Sequence, residues 1–353
     1  MSLLLSPLTL RGTTLRNRIA VAPMCQYSSV DGMPADWHLV HLGARAVGGA
    51  GLVLTEAAAV SPEGRISPDD VGIWDDAQAR AWARVVAFVK EQGAAAGVQL
   101  AHAGRKASTY RPWHERRGSV PVEEGGWQTV GPSAVPFGRY AVPLELDEPG
   151  MAQVVEDFAR AAGRAVEAGF DVVELHAAHG YLLHSFCSPL SNHRTDSWGG
   201  SFANRVRLPL AVVDAVRAVL PESVPLLYRV SATDWVDGGW TLQESVELSL
   251  LLADRGVDLV DCSSGGLAPE QVIDVRPGYQ VPFARAVRDA GVPSGAVGLL
   301  TDARQCEQVL ADGDADLVLL ARELLRDPHW PLRAAHELGV EGPWPAQYER
   351  ARW

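Results

Sequence analysis

Short apolar runs rich in Val, Ile and Leu recur along the chain and are separated by longer segments with mixed polarity. There are eight such runs, at residues 18–24, 51–60, 98–103, 171–176, 226–231, 258–262, 297–300 and 316–321. Each run is nearly continuous in its apolar character, which is typical of parallel strands that are covered on both faces. The pattern therefore predicts eight buried parallel strands.

Helical periodicity fills most of the intervals between these runs. The predicted helices have apolar residues three and four positions apart, and several end near a glycine; they are residues 75–92, 148–168, 204–219, 241–255, 279–290 and 302–311. Alternating strands and helices indicate an α/β fold. Eight such units predict a TIM barrel, (β/α)₈, formed by one domain over residues 1–353.

A doubly wound open sheet is the alternative fold, because it also alternates strands with helices. The glycine-rich residues 48–51 precede a predicted strand, whereas a dinucleotide-binding glycine motif stands between a strand and a helix. Residues 105–147, after the third strand, are too long for an ordinary βα connection. We predict that this excursion forms a lid over the barrel mouth and that residues 327–353 form a C-terminal tail.

The composition of the chain limits which binding partners and which cellular compartment we expect. The chain has 31 Lys and Arg residues and 43 Asp and Glu residues, which gives a net charge of −12. Because it also has no basic tract, we do not expect nucleic acid to be its partner. The N-terminal residues do not form a basic leader, and no apolar run reaches about 18 residues, so we expect no membrane segment. Four scattered cysteines without metal-binding spacing are expected to be free thiols in a reducing cytoplasm: Cys25, Cys187, Cys262 and Cys306.

The candidate chemistry lies at the carboxyl ends of the strands, where barrel enzymes place their active sites. His176, His179 and Tyr181 follow the fourth strand within six residues. Two imidazoles there can donate hydrogen bonds to one carbonyl oxygen while the phenol supplies a proton. Each histidine could instead be a buried residue with ordinary polar neighbours. A zinc site is disfavoured because other strand ends offer Cys25, Gln99 and Arg229 instead of further His or carboxylate ligands.

A second candidate site lies at the seventh and eighth strands, where barrels commonly bind phosphate. Residues 295–298 supply glycine amides at the predicted start of the seventh strand, and Arg322 follows the end of the eighth. Together they favour a phosphate monoester. Arg229, predicted inside the barrel, needs a partner, and a structural salt bridge to an inner carboxylate is the simpler interpretation.

The chain resembles ene-reductases of the Old Yellow Enzyme family, and in particular its thermophilic-like subclass. The resemblance covers essentially the whole chain and is carried by residues 15–19, 23–27, 99–106, 176–181, 188–196, 322–328 and 347–350. It implies a non-covalent FMN cofactor. Its ring system would be surrounded by Ala22, Pro23, Met24, Cys25, Ala57, Gln99 and Arg229, and its phosphate would lie near Gly298, Ala321 and Arg322.

The resemblance also implies the roles of the substrate-binding residues. His176 and His179 would bind the carbonyl oxygen, Tyr181 would donate the proton, and Tyr27 and Lys106 would lie close by. Arg350 would reach the active site of another subunit in a homodimer or a dimer-based tetramer. The implied reaction is ping-pong reduction of the C=C bond of an α,β-unsaturated carbonyl compound, an enone, with NADPH or NADH as the reductant.

Four other functions are less well supported. A dienoyl-CoA reductase would need cysteines spaced for an iron–sulfur cluster, which the chain lacks. A flavin-dependent tRNA reductase conflicts with the acidic charge. A metal-dependent barrel hydrolase could use the histidine pair. A binding protein without activity would leave so many polar residues at the strand ends unexplained.

Overall fold

The structure, a computed structural model, describes residues 2–353. Eight parallel strands close into a barrel in which each strand pairs with its neighbours in sequence and the last pairs with the first. They are β1 (Ile19–Val21), β2 (Leu52–Ala59), β3 (Ala95–Ala101), β4 (Val172–Ala177), β5 (Leu226–Ser231), β6 (Leu259–Ser263), β7 (Ser294–Ala296) and β8 (Leu317–Leu320). The predicted TIM barrel is confirmed.

Helices surround the barrel and connect its strands. They are α1 (Asp36–Val47), α2 (Asp76–Glu91), α3 (Glu148–Glu167), α4 (Leu182–Cys187), α5 (Phe202–Arg205), α6 (Arg207–Val219), α7 (Leu242–Ala253), α8 (Val281–Asp289), α9 (Ala303–Ala311), α10 (Arg322–Arg326) and α11 (Trp330–Glu337). The predicted helix over 204–219 is instead two helices that meet at Val206. Helix α1 was not predicted, since its exposed Trp37 and Val40 blur the apolar face.

The lower part of the barrel interior is filled with apolar side chains. Leu52, Val172, Leu227, Leu259 and Leu317 form one cluster there, and all are fully buried. A short N-terminal hairpin, Leu8–Leu10 paired with Thr13–Leu15, adds Leu10 and Leu15 to the same cluster. Because the hairpin closes the amino-terminal end of the barrel, a ligand can enter the barrel only from the carboxyl end.

Strands β1, β2, β3, β7 and β8 end earlier than the apolar pattern predicts, and the last two matter for the second candidate site. Strand β7 ends at Ala296, so residues 297–300 are not the seventh strand, and Gly298 follows the strand instead of lying in it. The backbone of Gly298 has φ +123° and that of Leu299 has φ +52°, neither of which continues a β-strand. Strand β8 ends at Leu320, which leaves Ala321 and Arg322 beyond its carboxyl end.

The excursion over residues 105–147 contains little regular structure. Its elements are two 3₁₀ turns, Gly104–Lys106 at its start and Val122–Glu124, and two paired two-residue strands, Val130–Gly131 and Leu144–Glu145. Near the carboxyl terminus, Ala346–Ala351 form another 3₁₀ turn. Within residues 2–353, every helix is too short or too polar to cross a lipid bilayer.

Candidate active site

The backbone after β4 holds His179 in an unusual conformation. Its φ is +58°, which is uncommon for a residue other than glycine, and its N–H donates a 2.9 Å hydrogen bond to the hydroxyl oxygen of Ser231. Gly266, after β6, packs so closely that a Cβ atom there would lie 2.6 Å from the His179 Cα. The end of β5 and the loops after β4 and β6 therefore fix this histidine together.

The two histidine rings and the phenol predicted from the sequence lie together. The ring of His176 is perpendicular to that of His179, with centroids 5.3 Å apart, and to that of Tyr181, with centroids 4.9 Å apart. The His176 Nδ1 accepts a hydrogen bond from the backbone N–H of Ala178, which leaves its Nε2 as the proton-bearing atom. The His179 Nε2 shares a 2.7 Å hydrogen bond with the Ser263 hydroxyl.

Both imidazoles are neutral at physiological pH. Burial, reinforced by the positive charge of Arg229, lowers the pKa of His176 and of His179 well below the ordinary value. Desolvation raises the pKa of the Tyr181 phenol well above its ordinary value, so this group retains its proton. The site therefore offers neutral hydrogen-bond donors and an undissociated phenol.

Lys106 connects the end of β3 to the loops after β4 and β6. Its ammonium group donates 2.8 Å hydrogen bonds to the carbonyl oxygens of His179 and Gly266, and it lies 5.3 Å from the centre of the Tyr181 ring. Burial, with a smaller contribution from Arg105, lowers the pKa of Lys106 to about 7. This lysine therefore braces the His179 loop beside the phenol.

The segment after β1 carries Cys25 and Tyr27. Both side chains pack against an apolar cluster that includes Ala57, and Tyr181 packs against the same cluster. The loop is held by Glu56, whose carboxylate accepts a 2.7 Å hydrogen bond from the Gln26 N–H and lies 3.1 Å from the His38 Nε2. Burial and the nearby acids Asp70 and Glu56 raise the pKa of Cys25 well above its ordinary value. Its sulfur is therefore a neutral thiol. Ala22, Pro23 and Met24, also predicted to surround the ring system of FMN, follow β1 directly in this segment.

A polar layer lies inside the barrel, between the apolar floor and the histidines. Gln99 on β3 donates a 2.8 Å hydrogen bond to Glu174 on β4, and Arg229 on β5 forms a 3.0 Å ion pair with Asp261 on β6. All four side chains are buried. The inner salt bridge considered for Arg229 is present, and Glu174 and Asp261 were missed because both lie within predicted strands, not at their ends.

The second predicted site forms a cavity of about 180 Å³ beyond β7 and β8. Gly298, Ala321 and Arg322 line it together, as do Ser263 and Gln280, which the sequence reasoning missed. Gln280 reaches across the cavity wall, donating to the Val297 carbonyl oxygen and accepting from the Ser264 hydroxyl. A Cβ atom at Gly298 would lie 2.9 Å from the Gln280 amide nitrogen, and the φ of +123° favours glycine at this position of the cradle. The donor set and the cradle fit a phosphate group.

Arg350 does not join these residues within one chain. It is exposed on the C-terminal 3₁₀ turn, and the preceding residues 343–347 line a cavity with Arg16, Val47 and Gln92. Val47 and Gln92 stand where α1 and α2 end, beside the amino-terminal face of the barrel. The tail therefore leaves the amino-terminal side of the barrel, opposite the histidine pair, three residues before Arg350.

Comparison with known proteins identifies the family. Residues 3–341 match the model of the NADH:flavin oxidoreductase / NADH oxidase family. The chain belongs to this family, the Old Yellow Enzyme family. It is 49% identical to an NADPH dehydrogenase of Geobacillus thermodenitrificans, over 99% of this chain and 98% of the relative. It is 46% identical to an NADPH dehydrogenase of Bacillus subtilis, with 98% of each chain covered.

A solved structure of morphinone reductase is similar over most of its length. It shares 30% sequence identity, with a TM-score of 0.79 over 97% of this chain and 91% of that chain. As a member of the Old Yellow Enzyme family, the protein is an NAD(P)H-dependent flavin oxidoreductase that uses FMN. The phosphate cradle and the polar layer beneath the histidines fit this cofactor. Among residues 2–353, His, Cys, Asp and Glu side chains form no group of three able to hold a metal ion.

Proposed function

We propose that the protein is an ene-reductase, which reduces the C=C bond of α,β-unsaturated carbonyl compounds at the expense of NADPH or NADH. The observation that carries this proposal is the cluster of His176, His179 and Tyr181, two neutral imidazoles and an undissociated phenol at the barrel mouth. A carbonyl oxygen and an adjacent alkene carbon are the groups that such a cluster serves.

The residues that would hold FMN divide between the two described regions. Gln99 and Arg229 would contact the polar edge of its ring system, and the phosphate would lie against Gly298, Ala321 and Arg322. Ala22, Pro23, Met24, Cys25 and Ala57 would complete the wall around the rings. The chemistry that bound FMN supplies is hydride transfer, first from the nicotinamide and then to the alkene, which predicts ping-pong kinetics.

The protein's own part in enone reduction is to polarise the substrate. The Nε2–H of His176 would donate a hydrogen bond to the carbonyl oxygen, and His179 would donate a second after exchanging its bond with Ser263. Both donors gain strength as negative charge develops on that oxygen. Neutral donors suit this purpose because they stabilise the charge without protonating the oxygen.

Tyr181 would then protonate the α-carbon of the substrate. Its raised pKa keeps the proton on the phenol until the carbanion forms, and Lys106, which braces the loop, lies near its ring. A cavity of about 450 Å³ lies beside Tyr181, and Tyr27 and Lys106 also line it. We therefore assign Tyr27 and Lys106 to substrate binding.

The proposed assembly is a homodimer, or a tetramer built from dimers, in which Arg350 enters the active site of another subunit. Residues 343–347, just before Arg350, lie on the side of the barrel opposite the histidines, so a role of Arg350 at a site would involve a second chain. A symmetric dimer can exchange two such tails across one interface. All four cysteines are free, which suits the reducing cytoplasm.

Anaerobic spectroscopy of the purified holoenzyme tests the function. NADPH or NADH should bleach the flavin absorbance, and addition of 2-cyclohexenone should restore it with formation of cyclohexanone, measured by mass spectrometry. Cyclohexanone itself serves as the control that lacks the alkene. If the flavin is bleached by nicotinamide but enones fail to restore the absorbance, the protein is a flavin oxidoreductase with another oxidant.

A further inference from the structure

A buried histidine on α4 supports the turn that carries His179 and Tyr181. The Nδ1 atom of His184 accepts a 2.9 Å hydrogen bond from the backbone N–H of Gly180, the residue between those two. The backbone has φ +58° at His179 and φ +75° at Gly180, so the chain reverses sharply there. A left-handed conformation at a residue other than glycine persists only where neighbouring groups hold it. His184 is therefore part of what places the two active-site side chains next to each other.

Asp234, in the loop after β5, lies on the other side of the His184 ring. Its Oδ1 atom is 3.0 Å from the His184 Nε2, and its Oδ2 atom accepts hydrogen bonds of 2.6 Å from the Ser188 hydroxyl and 2.7 Å from the Trp240 N–H. Burial acts to raise the pKa of Asp234, but the His184 ring and these hydrogen bonds outweigh burial and lower the pKa below its ordinary value. Asp234 is therefore a carboxylate, which can only accept hydrogen bonds.

These contacts fix the position of the proton on His184. Because Nδ1 accepts from the Gly180 N–H, the ring is neutral and its proton is on Nε2, facing the Asp234 carboxylate. A proton on Nδ1 would instead face the hydrogen of the Gly180 N–H, and the turn would lose this support. The carboxylate therefore selects the tautomer of His184 that can hold the turn.

We propose that His184 is a positioning residue that holds Tyr181 where its phenol can deliver a proton to the substrate, and that Asp234 acts through His184 by setting its tautomer. Gly180 is joined to Tyr181 by one peptide bond, so a displacement of the Gly180 N–H moves the phenol directly. His184 is 1% exposed and lies outside the cavity that Tyr181 lines, so it acts through the backbone and does not touch the substrate. The inference rests on the proposed reduction of enones by this protein.

A displaced phenol should change the product as well as the rate. Water can then protonate the α-carbon from either face, so that this carbon forms in both configurations. Reduction of 2-methyl-2-cyclohexenone gives 2-methylcyclohexanone, whose single stereocentre is the α-carbon. A partial loss of folded protein lowers the amount of product but leaves its enantiomeric composition unchanged. The enantiomeric excess of product sampled early, before it enolises in solution, therefore separates positioning from stability.

Asp234→Asn tests the tautomer with almost no change of shape. The Oδ2 position receives two donors, and one of them is a backbone N–H that cannot accept. The asparagine oxygen must therefore take that position, and its NH₂ group must face the His184 Nε2. The proton of His184 is then driven onto Nδ1, and the hydrogen bond from Gly180 is lost.

The two half-reactions of the holoenzyme are measured separately by rapid mixing under anaerobic conditions. Asp234→Asn should slow oxidation by the enone about 10-fold or more and lower the enantiomeric excess, because small displacements of a reacting group are costly. The rate of flavin bleaching by NADPH should not change, since that step needs no proton from Tyr181. Ser188→Ala removes a donor to the same carboxylate without affecting the tautomer of His184. It is the matched control and should change neither quantity.

Two substitutions of His184 form an independent pair, which decides the matter if Asp234→Asn does not fold. His184→Asn places an oxygen where Nδ1 stands and keeps an acceptor for the Gly180 N–H. His184→Gln places its amide near Asp234 and leaves the Gly180 N–H without that acceptor. The asparagine variant should retain the enantiomeric excess of the unmodified protein, and the glutamine variant should lose it. Melting temperature and flavin content are measured for every variant.

The role of His184 is overturned by an unaltered enantiomeric excess in Asp234→Asn and His184→Gln, by equal losses in the two variants of each pair, or by equal slowing of both half-reactions. Failure of the proposed function gives a different result, because the unmodified protein would then not reduce the enone at all. If the unmodified protein and the variants all give the same single enantiomer, enone reduction stands and only the positioning role is wrong.

Discussion

Gln99 donates a 2.8 Å hydrogen bond to Glu174, its register partner on the neighbouring strand, inside the barrel. Burial, and next the negative charge of Asp261, raise the pKa of Glu174 to about 8, against the opposing effect of Arg229. Asp261 is paired with Arg229, so it holds the negative charge of this layer while Glu174 holds a proton at neutral pH.

This protonation state predicts how Glu174→Gln changes the pH dependence of stability. Between about pH 4.5 and pH 8 the folded protein keeps the proton of Glu174, whereas the unfolded chain has lost it. The free energy of unfolding of the unmodified protein therefore falls as pH rises through this window, by at most about 1.4 kcal/mol per pH unit from this group. Glutamine cannot titrate, so this part of the decline should vanish.

Urea unfolding of the holoenzyme at pH 5.5, 7 and 8.5 measures the effect. Glutamine retains an acceptor for the Gln99 amide, which makes Glu174→Gln the conservative change, and Glu174→Leu removes the acceptor. If the free energy of unfolding changes with pH in the same way for the unmodified protein and for Glu174→Gln, Glu174 is ionised in the folded state.

Arg322→Ala should weaken FMN retention, because it removes a guanidinium group from the cavity that Gly298 also lines. Loss of a charge-assisted hydrogen bond to phosphate raises a Kd by about 10-fold or more. Fluorescence titration of the apoprotein with FMN measures this Kd. Arg326→Ala is the matched control, since Arg326 lines the same cavity but is ion-paired with Glu323 at 2.8 Å. Equal losses in both variants would remove the special role of Arg322.

His176→Ala and His179→Ala should each slow enone reduction, since each removes one donor from the developing negative charge. Such a loss typically costs about 10²–10³ in rate. Stopped-flow oxidation of the reduced enzyme by cyclohexenone measures it, and affinity for phenolic ligands should fall in parallel. Ser263→Ala frees the His179 Nε2 and also removes a hydroxyl from the phosphate cavity, so in enzyme saturated with FMN it should retain the rate within a small factor. Unaltered oxidation in either histidine variant would contradict the polarising role.

Tyr181→Phe should slow the half-reaction with the enone and spare the half-reaction with nicotinamide, because only the former consumes a proton. The expected loss is about 10²–10⁴, the range of general acid catalysis. Single-turnover measurements separate the two steps. Tyr27→Phe removes a hydroxyl from the same cavity and is the control. If Tyr181→Phe slows both half-reactions equally, the phenol has a structural or binding role instead.

Arg350 can be tested by complementation between subunits. Arg350→Ala and His179→Ala chains, each of low activity, are unfolded together and refolded with FMN. If Arg350 acts in trans, mixed dimers contain one site with both residues, and activity recovers toward that of one site per dimer. If mixed dimers form, as shown by native mass spectrometry, and activity does not recover, the arginine has no role across the interface. Full activity of Arg350→Ala alone leads to the same conclusion.

The sequence predicts the barrel well because its strands are continuous apolar runs separated by amphipathic helices. It misplaces β7 because residues 297–300 have the composition of a strand, while the backbone at Gly298 and Leu299 has positive φ and leaves the extended conformation. The residues at strand ends were found by position alone. Glu174 and Asp261 were not, since their inward direction and their partners depend on the register between strands.

The excursion over residues 105–147 is one continuous stretch of chain that brings Arg117 and Tyr140 to the cavity around Tyr181, whereas the histidines and the phenol belong to the end of β4 and the loop after it. These two parts of the chain can change independently. Substitution or exchange of the excursion can reshape the wall that Arg117 and Tyr140 contribute to this cavity without moving Tyr181. The architecture thus allows the outer wall of the entrance and the groups at the barrel mouth to diverge separately among descendants of one ancestral barrel.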